Sequence, residues 1–195
     1  MKRGVRLYFV RHGETDWNFE QRIQGQLDIP LNDTGRRQAA RNGAKLKELL
    51  PDLDDVDFVS SPLVRTTETM EIVRTVLGLE RSGYGTDARL KEVHFGNWQG
   101  RLWSEVQAFD PAGYAARLTD TFHWRPRGGE SYAELMARAV AWLESLSGDC
   151  IVVSHGGVSR VLRGYLLGLH REEVPHLSVP QDRVLMLEAG RFEWV

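Results

Sequence analysis

The chain has 195 residues, with 25 Lys plus Arg against 27 Asp plus Glu and a formal net charge of −2, so no global charge bias points to nucleic acid or an anionic membrane as a partner. Hydrophobic residues make up 42% and charged residues 27%, the balance of a soluble globular chain, and no stretch approaches the ~20 apolar residues of a membrane span. Cys150 is the single cysteine, which excludes an intrachain disulfide and a multi-cysteine metal cluster and fits a reducing cytoplasm.

The length suits one domain, residues 1–195, with enough surface buried to form an ordinary core. Lys2 and Arg3 make the start basic, but the apolar run Leu7 to Val10 is far too short for a signal segment. Val5 to Val10 reads as a first strand. Asp33-Thr34-Gly35 opens a helix that runs to about Leu50 and stops at Pro51; Ala39, Gly43, Leu46 and Leu50 share one of its faces. Asp57 to Ser60 is a short strand, Val64 to Leu77 a helix stopped by Gly78, and Ala88 to Leu90 a further strand. Trp103 to Leu118 is helical but broken at Pro111. Phe122 to Glu130 contains Pro126, Gly128 and Gly129 and reads as loop.

Ser131, with Glu134 three residues on, opens a capping box for a helix to about Leu146. Cys150 to Ser154 is an apolar, β-branched strand, and Val158 to Leu167 a helix. Arg183 to Leu187 and Arg191 to Trp194 read as a final hairpin around Gly190. The last strand either closes the sheet or pairs across a homodimer. Strands alternate with helices, which predicts an α/β fold with a mostly parallel sheet covered on both faces. The most irregular segment, Gly100 to Glu130, is a candidate lid.

Two strands end in chemically loaded residues. Leu7-Tyr8-Phe9-Val10 runs into Arg11-His12-Gly13, and Ile151-Val152-Val153 runs into Ser154-His155-Gly156-Gly157. Parallel strands of such a sheet end at one edge, where ligand sites form. If the two strands are neighbours, His12 faces His155, and the helix starting near Gly157 aims backbone N–H groups at an anion. Arg65 follows a third strand end in the first turn of its helix. Two arginines and two histidines around one point suit a phosphoryl dianion. Glu92, after Leu90-Lys91, supplies a carboxyl group that a nearby dianion would favour in its protonated form, as a general acid needs. Taken singly, each of these residues has an ordinary structural reading. Cys150, Trp98, Trp103, Trp124 and Trp142 read as packing residues. His94, His123, His170 and His176 read as bystanders.

These segments together resemble the histidine phosphatase superfamily, the phosphoglycerate mutase-like family, from Leu7 to about Leu166. The resemblance rests on Arg11-His12-Gly13-Glu14-Thr15-Asp16-Trp17-Asn18, on Gln24-Gly25-Gln26 through Asn32, on Ser61-Pro62-Leu63 with Arg65-Thr66, on Leu90 through Gly100, on Gly129-Glu130-Ser131 and on Ser154-His155-Gly156-Gly157. It implies a three-layer α/β/α sandwich with a short helical lid. It also implies that His12 is the nucleophile and forms a phosphohistidine. Arg11, Arg65 and His155 would bind the transferring phosphoryl group, and Asn18 would orient it. Glu92 would protonate the leaving oxygen and later activate water. Gln24, Gly25 and Gly156 would line the pocket. No metal or other cofactor is implied, because the arginines supply the positive charge.

Within the family, mutases carry an arginine after the acidic residue and a tyrosine two positions beyond it; this chain has Val93 and Phe95 there. The segment from Gly100 to Gly128 also lacks their insertion of adjacent arginines and a proline run. The reading is therefore a phosphomonoester hydrolase acting on a small phosphorylated metabolite. A bisphosphoglycerate-dependent mutase and a non-catalytic phospho-ligand binder stay open as alternatives. A serine esterase is disfavoured by the absence of G-x-S-x-G, a metal hydrolase based on His12, Glu14 and Asp16 by the absence of H-E-x-x-H, and a nucleotide-binding module by the lack of a phosphate-loop motif. In the candidate lid, Trp103, Phe109, Tyr114, Phe122 and Trp124 either cover substrate or buttress the fold. Arg125 or Arg127 is the candidate for a second anionic group on the substrate.

Overall fold

The computed structural model describes residues 4–188 and 190–195. Lys2, Arg3 and Ala189 lie outside the described residues. The elements run β1 (Leu7–Arg11), α1 (Asp16–Phe19), α2 (Asp33–Leu49), β2 (Asp57–Ser60), α3 (Val64–Leu77), β3 (Gly85–Thr86), α4 (Trp103–Phe109), α5 (Pro111–Thr119), α6 (Tyr132–Glu144), β4 (Cys150–Ser154), α7 (Gly156–Leu167), β5 (Val184–Glu188) and β6 (Arg191–Trp194). One six-stranded sheet has the order β3-β2-β4-β1-β5-β6. Its first four strands are parallel, while β5 and β6 run antiparallel at the other end.

The continuous apolar runs of β1 and β4 reflect burial on both faces. Leu7, Phe9, Cys150 and Val152 point into a core shared with α6 and α7. Tyr8, Val10, Ile151 and Val153 point the other way, toward α2 and α3. The period-2 alternation of a strand thus feeds two helical layers from adjacent residues. This is the three-layer sandwich expected from the sequence. Ala39, Gly43 and Leu46 are buried along α2 as the helical spacing requires.

Most boundaries fall where the local chemistry sets them. Asn32 caps α2, its side chain accepting from Gly35 N at 2.9 Å. Gly78 ends α3 in the left-handed region at φ 82°, which glycine adopts without a Cβ clash. The capping box of Ser131 and Glu134 opens α6, which ends two residues before Leu146 as Ser145 Oγ turns back onto the Trp142 carbonyl. The helical break before Pro111 is organised by Asp110, which accepts from Gly113 N and from Trp98 Nε1, both at 2.9 Å.

Three expectations need correction. Ala88 to Leu90 is a 3-10 turn, because the Asp87 carboxylate accepts from Arg89 N at 2.8 Å and closes it; the edge strand is Gly85–Thr86, too short and too polar to be read. β1 begins at Leu7, not Val5, since Arg6 N is taken by the Asp149 carboxylate. α7 begins at Gly156, two residues before Val158, so both glycines lie within its first turn. The final hairpin forms, and β6 pairs with β5 in the chain's own sheet.

Candidate active site

The three loaded strand ends meet. β1 and β4 are parallel neighbours with Arg11 opposite Ser154, and His12 N donates to the Ser154 carbonyl at 2.9 Å. After β1 the chain leaves toward the α2 and α3 layer, and after β4 toward the α6 and α7 layer. The two strands therefore flank a topological switch point, where an open sheet leaves a crevice at its carboxyl edge. His12 and His155 stand across it with ring centroids 5.2 Å apart. Ser61, at the end of β2, reaches in and bonds His155 Nε2 at 2.8 Å.

A cavity of about 360 Å³ opens on this edge, and Arg11, His12, Asn18, Gln24, Arg65 and Glu92 all line it. The Arg65 guanidinium is anchored by the carbonyls of Gly25 (2.7 Å) and Leu27 (2.8 Å), and Arg11 by the Val179 carbonyl at 2.6 Å. Arg11 Nε, Arg65 Nε and His155 Nδ1 are buried without a hydrogen-bond partner among the described residues, so each has capacity for an acceptor-rich ligand. Burial pushes both arginines down to about 10, with the Glu92 carboxylate opposing the shift. Burial, reinforced by Arg65 and Arg11, also lowers His12 well below the ordinary histidine value, which favours its neutral form. His12 Nδ1 lies 2.8 Å from the Gly13 carbonyl. Donation there leaves the lone pair on Nε2. Asn18 Oδ1 accepts from Thr15 N and from Gln181 Nε2, which orients the amide.

Glu92 sits on a loop, and its carboxylate is fixed by backbone groups. Val93 N donates at 2.9 Å, and Gly157 N, in the first turn of α7, donates to Oε1 and Oε2 at 3.1 and 3.2 Å. A Cβ on Gly157 would collide with Glu92 Oε1. The loop is held in turn by Arg138 of α6, which donates to the carbonyls of Arg89 (2.6 Å), Lys91 (2.6 Å) and Glu92 (3.0 Å) and pairs with Glu130. Glu130 accepts from His94 N at 2.9 Å. Gln26 Nε2 ties the Glu92 carbonyl to the loop carrying Gly25. The carboxylate is thus braced from two sides.

The structure therefore brings together Arg11, His12, Asn18, Gln24, Gly25, Arg65 and Glu92 along one cavity, with His155 beside His12 and Gly156 beside Arg11, both behind the residues that line it. Glu14, weighed as a metal ligand, instead accepts from Asn32 Nδ2 at 3.0 Å, and no three His, Cys, Asp or Glu side chains converge on a cation position among the described residues. The N–H of Gly157, expected to face a bound anion, is taken by Glu92. Arg125 and Arg127 are exposed and stand off the cavity; Arg125 pairs with Glu134. Arg117 lines the cavity in their place. Trp98 and Trp124 are packing residues, stacked at 4.4 Å, whereas Trp103 lines the cavity and is more than a buttress. Sequence reasoning also missed Tyr132, Arg138, Arg160 and Gln181. For Arg160 a signal existed: it lies one turn into the helix that His155 opens.

Comparison with known proteins agrees with this geometry. The model of the histidine phosphatase superfamily (branch 1) matches residues 7–195. The chain is 36% identical over 189 residues to the glucosyl-3-phosphoglycerate phosphatase of Mycolicibacterium vanbaalenii, covering 89% of this chain and 79% of that protein. It is 34% identical over 196 residues to a probable phosphoglycerate mutase of Salmonella paratyphi C, covering 98% and 88%. Among solved structures, the α-ribazole phosphatase of Shigella flexneri superposes with a TM-score of 0.81 at 28% identity over 93% of this chain and 89% of that one. A mycobacterial glucosyl-3-phosphoglycerate phosphatase in complex with VO3 gives 0.80 at 31% identity over 98% of both chains. A fold with its two histidines at adjacent strand ends and a family match spanning all but the first six residues lead to one assignment: the chain belongs to the histidine phosphatase superfamily, branch 1.

Proposed function

We propose that the protein hydrolyses phosphomonoesters of small metabolites through a phosphohistidine on His12. The observation that carries this reading is the convergence of His12, Arg11 and Arg65 with one carboxyl group, Glu92, on a single cavity, with His155 against the His12 ring. The phosphoryl dianion lies among Arg11, Arg65, Asn18 and His155. With Ser61 Oγ donating to His155 Nε2, the ring proton of His155 sits on Nδ1 and donates to a phosphoryl oxygen. Such preorganised donors stabilise charge as it redistributes in transfer.

His12 Nε2 attacks phosphorus as the ester P–O bond breaks, and the Glu92 carboxyl group gives its proton to the leaving alkoxide. The Glu92 carboxylate then takes a proton from water as that water attacks the phosphohistidine. The P–N bond breaks toward His12, inorganic phosphate leaves, and both side chains return to their starting forms. No step requires a metal. α4 and α5, within the Gly100 to Glu130 segment, act as a lid wall through Trp103 and Arg117.

Hydrolase rather than mutase chemistry is favoured by Val93 and Phe95 and by the short lid. The deciding experiment offers the purified protein a panel of phosphomonoesters with a chelator present, next to a His12→Ala control. Phosphate release that survives chelator and disappears in the control supports the hydrolase. Isomerisation of 3-phosphoglycerate that requires 2,3-bisphosphoglycerate supports the mutase. Binding of phosphorylated ligands with neither reaction supports a binder.

A further inference from the structure

We infer that the cavity contains a second oxyanion subsite, built by Arg117, Arg160 and the Tyr132 hydroxyl, so that preferred substrates carry a carboxylate or a second phosphate on their alcohol portion. This deepens the phosphomonoesterase reading and rests on it. Five arginines line the cavity (Arg11, Arg22, Arg65, Arg117 and Arg160) against one carboxylate, Glu92. Arg11 and Arg65 belong to the phosphoryl cradle. Arg22 is already engaged, with Glu20 at 3.0 Å and the Gly100 carbonyl at 2.7 Å. Arg117 and Arg160 pair with no carboxylate among the described residues. A phosphoryl dianion balances two cations and leaves these two uncompensated beside the apolar walls of Val93, Phe95 and Trp103, where charge is poorly solvated.

Both guanidinium groups are set in place before a ligand arrives. Arg160 Nε donates to the Leu177 carbonyl at 2.8 Å, and Nη1 lies 3.5 Å from the Tyr132 hydroxyl. Arg160 Nη1 and Arg11 Nε lie 3.6 and 3.7 Å from the point where a Cβ on Gly156 would stand. Arg160 therefore borders the phosphoryl cradle and extends it toward the lid. Arg117 projects from α5 over the Trp103 ring, 5.1 Å from its centroid. Burial lowers Arg117 and raises Tyr132, so the hydroxyl stays protonated and able to donate. A planar fork, a second guanidinium and one hydroxyl match the acceptor pattern of a carboxylate or phosphate.

The test is calorimetric binding of three non-hydrolysable phosphonates of equal chain length to the full chain: propylphosphonate, 3-phosphonopropionate and propane-1,3-bisphosphonate. The second anionic head should tighten binding about tenfold to a hundredfold, and the two arms show whether carboxylate or phosphate fits better. Arg117→Gln and Arg160→Gln, each checked for folding by circular dichroism and thermal melting, should each cut that gain, taken relative to the same variant's propylphosphonate affinity, to less than about threefold. Equal affinities for all three ligands in the wild type overturn the subsite. So does a gain that survives both substitutions, or one that vanishes at high salt, which would mark long-range steering. Binding is read without turnover. Failure of the hydrolase reading appears separately, as no phosphate released from any ester.

Discussion

Arg138 lies off the cavity lining, yet its bonds hold the loop that carries Glu92. An Arg138→Gln substitution removes the group that holds the Arg89, Lys91 and Glu92 carbonyls and the Glu130 carboxylate. The Arg138 and Glu130 side chains are only 20% and 17% exposed, so water replaces the lost bonds poorly. Bonds to a charged group contribute about 1.5–3 kcal/mol each, and breaking a fully buried pair costs about 3–5 kcal/mol, which places the stability loss near ~3 kcal/mol. For a chain of this size that lowers Tm by roughly 6–12 °C.

The effect on catalysis separates positioning from mere loosening. A carboxyl group displaced by about 1 Å loses roughly a hundredfold in rate when its proton is needed. An alkyl phosphate, whose alkoxide must be protonated, should lose kcat/KM about tenfold to a hundredfold, because leaving-group protonation falls within the step that kcat/KM reads, while Arg11 and Arg65 keep their anchors. p-Nitrophenyl phosphate leaves without protonation and should lose less than about threefold in kcat/KM, which reads phosphohistidine formation alone, while its kcat falls wherever Glu92-assisted hydrolysis of the phosphohistidine limits turnover. Arg138→Lys should recover part of the alkyl phosphate rate. Steady-state kinetics on both substrates, below the melting range of each variant, measure this. Equal losses in kcat/KM for the two leaving groups would refute the positioning argument.

Other consequences are as direct. Gly157→Ala drives a methyl group into Glu92 Oε1 and should lower kcat/KM for alkyl phosphates about tenfold to a hundredfold, with a smaller loss in kcat/KM for p-nitrophenyl phosphate; unchanged kinetics would show that the carboxylate does not work from this position. His12 and His155 are depressed by burial and then by Arg65, with Arg11 adding to it. Below about 6.5 the unfolded chain binds protons that the folded chain refuses, so stability falls as pH drops from there toward the depressed values, by up to about 1.4 kcal/mol per pH unit for each histidine. Urea midpoints between pH 7.5 and 5 should show that slope and lose most of it in a His12→Gln, His155→Gln double variant; a flat profile in the wild type contradicts the burial argument. Phosphate release should be unchanged by dialysis against a chelator, assayed with and without added divalent cations, and a loss that a metal restores would contradict the metal-free cycle.

What was legible in the sequence was local. The runs before His12 and His155 read as buried strands because a strand covered on both faces alternates between two apolar layers. The triplets that stop them read as a site because nothing in a core needs Arg-His-Gly. The capping box of Ser131 and the stop at Gly78 are single-turn signals. What was not legible depends on residues distant in the chain. Arg138 lies mid-helix, 46 to 49 residues from the carbonyls it holds. Arg125 and Arg127 were the arginines the sequence offered for a second anionic group, whereas packing over Trp103 turns Arg117 into the cavity. The glycines of α7 resembled a loop because the reason for them, the Glu92 carboxylate against the helix start, comes from a segment 65 residues earlier.

The central claim is that phosphorus passes through His12. Rapid mixing with a 32P-labelled phosphomonoester, an alkaline quench and peptide mapping test it directly. The account predicts a label that resists alkali, is lost in acid, maps to the peptide carrying His12 and forms at least as fast as phosphate is released. Phosphate released in a single turnover with His12 unlabelled, or with the label on another residue, would contradict it.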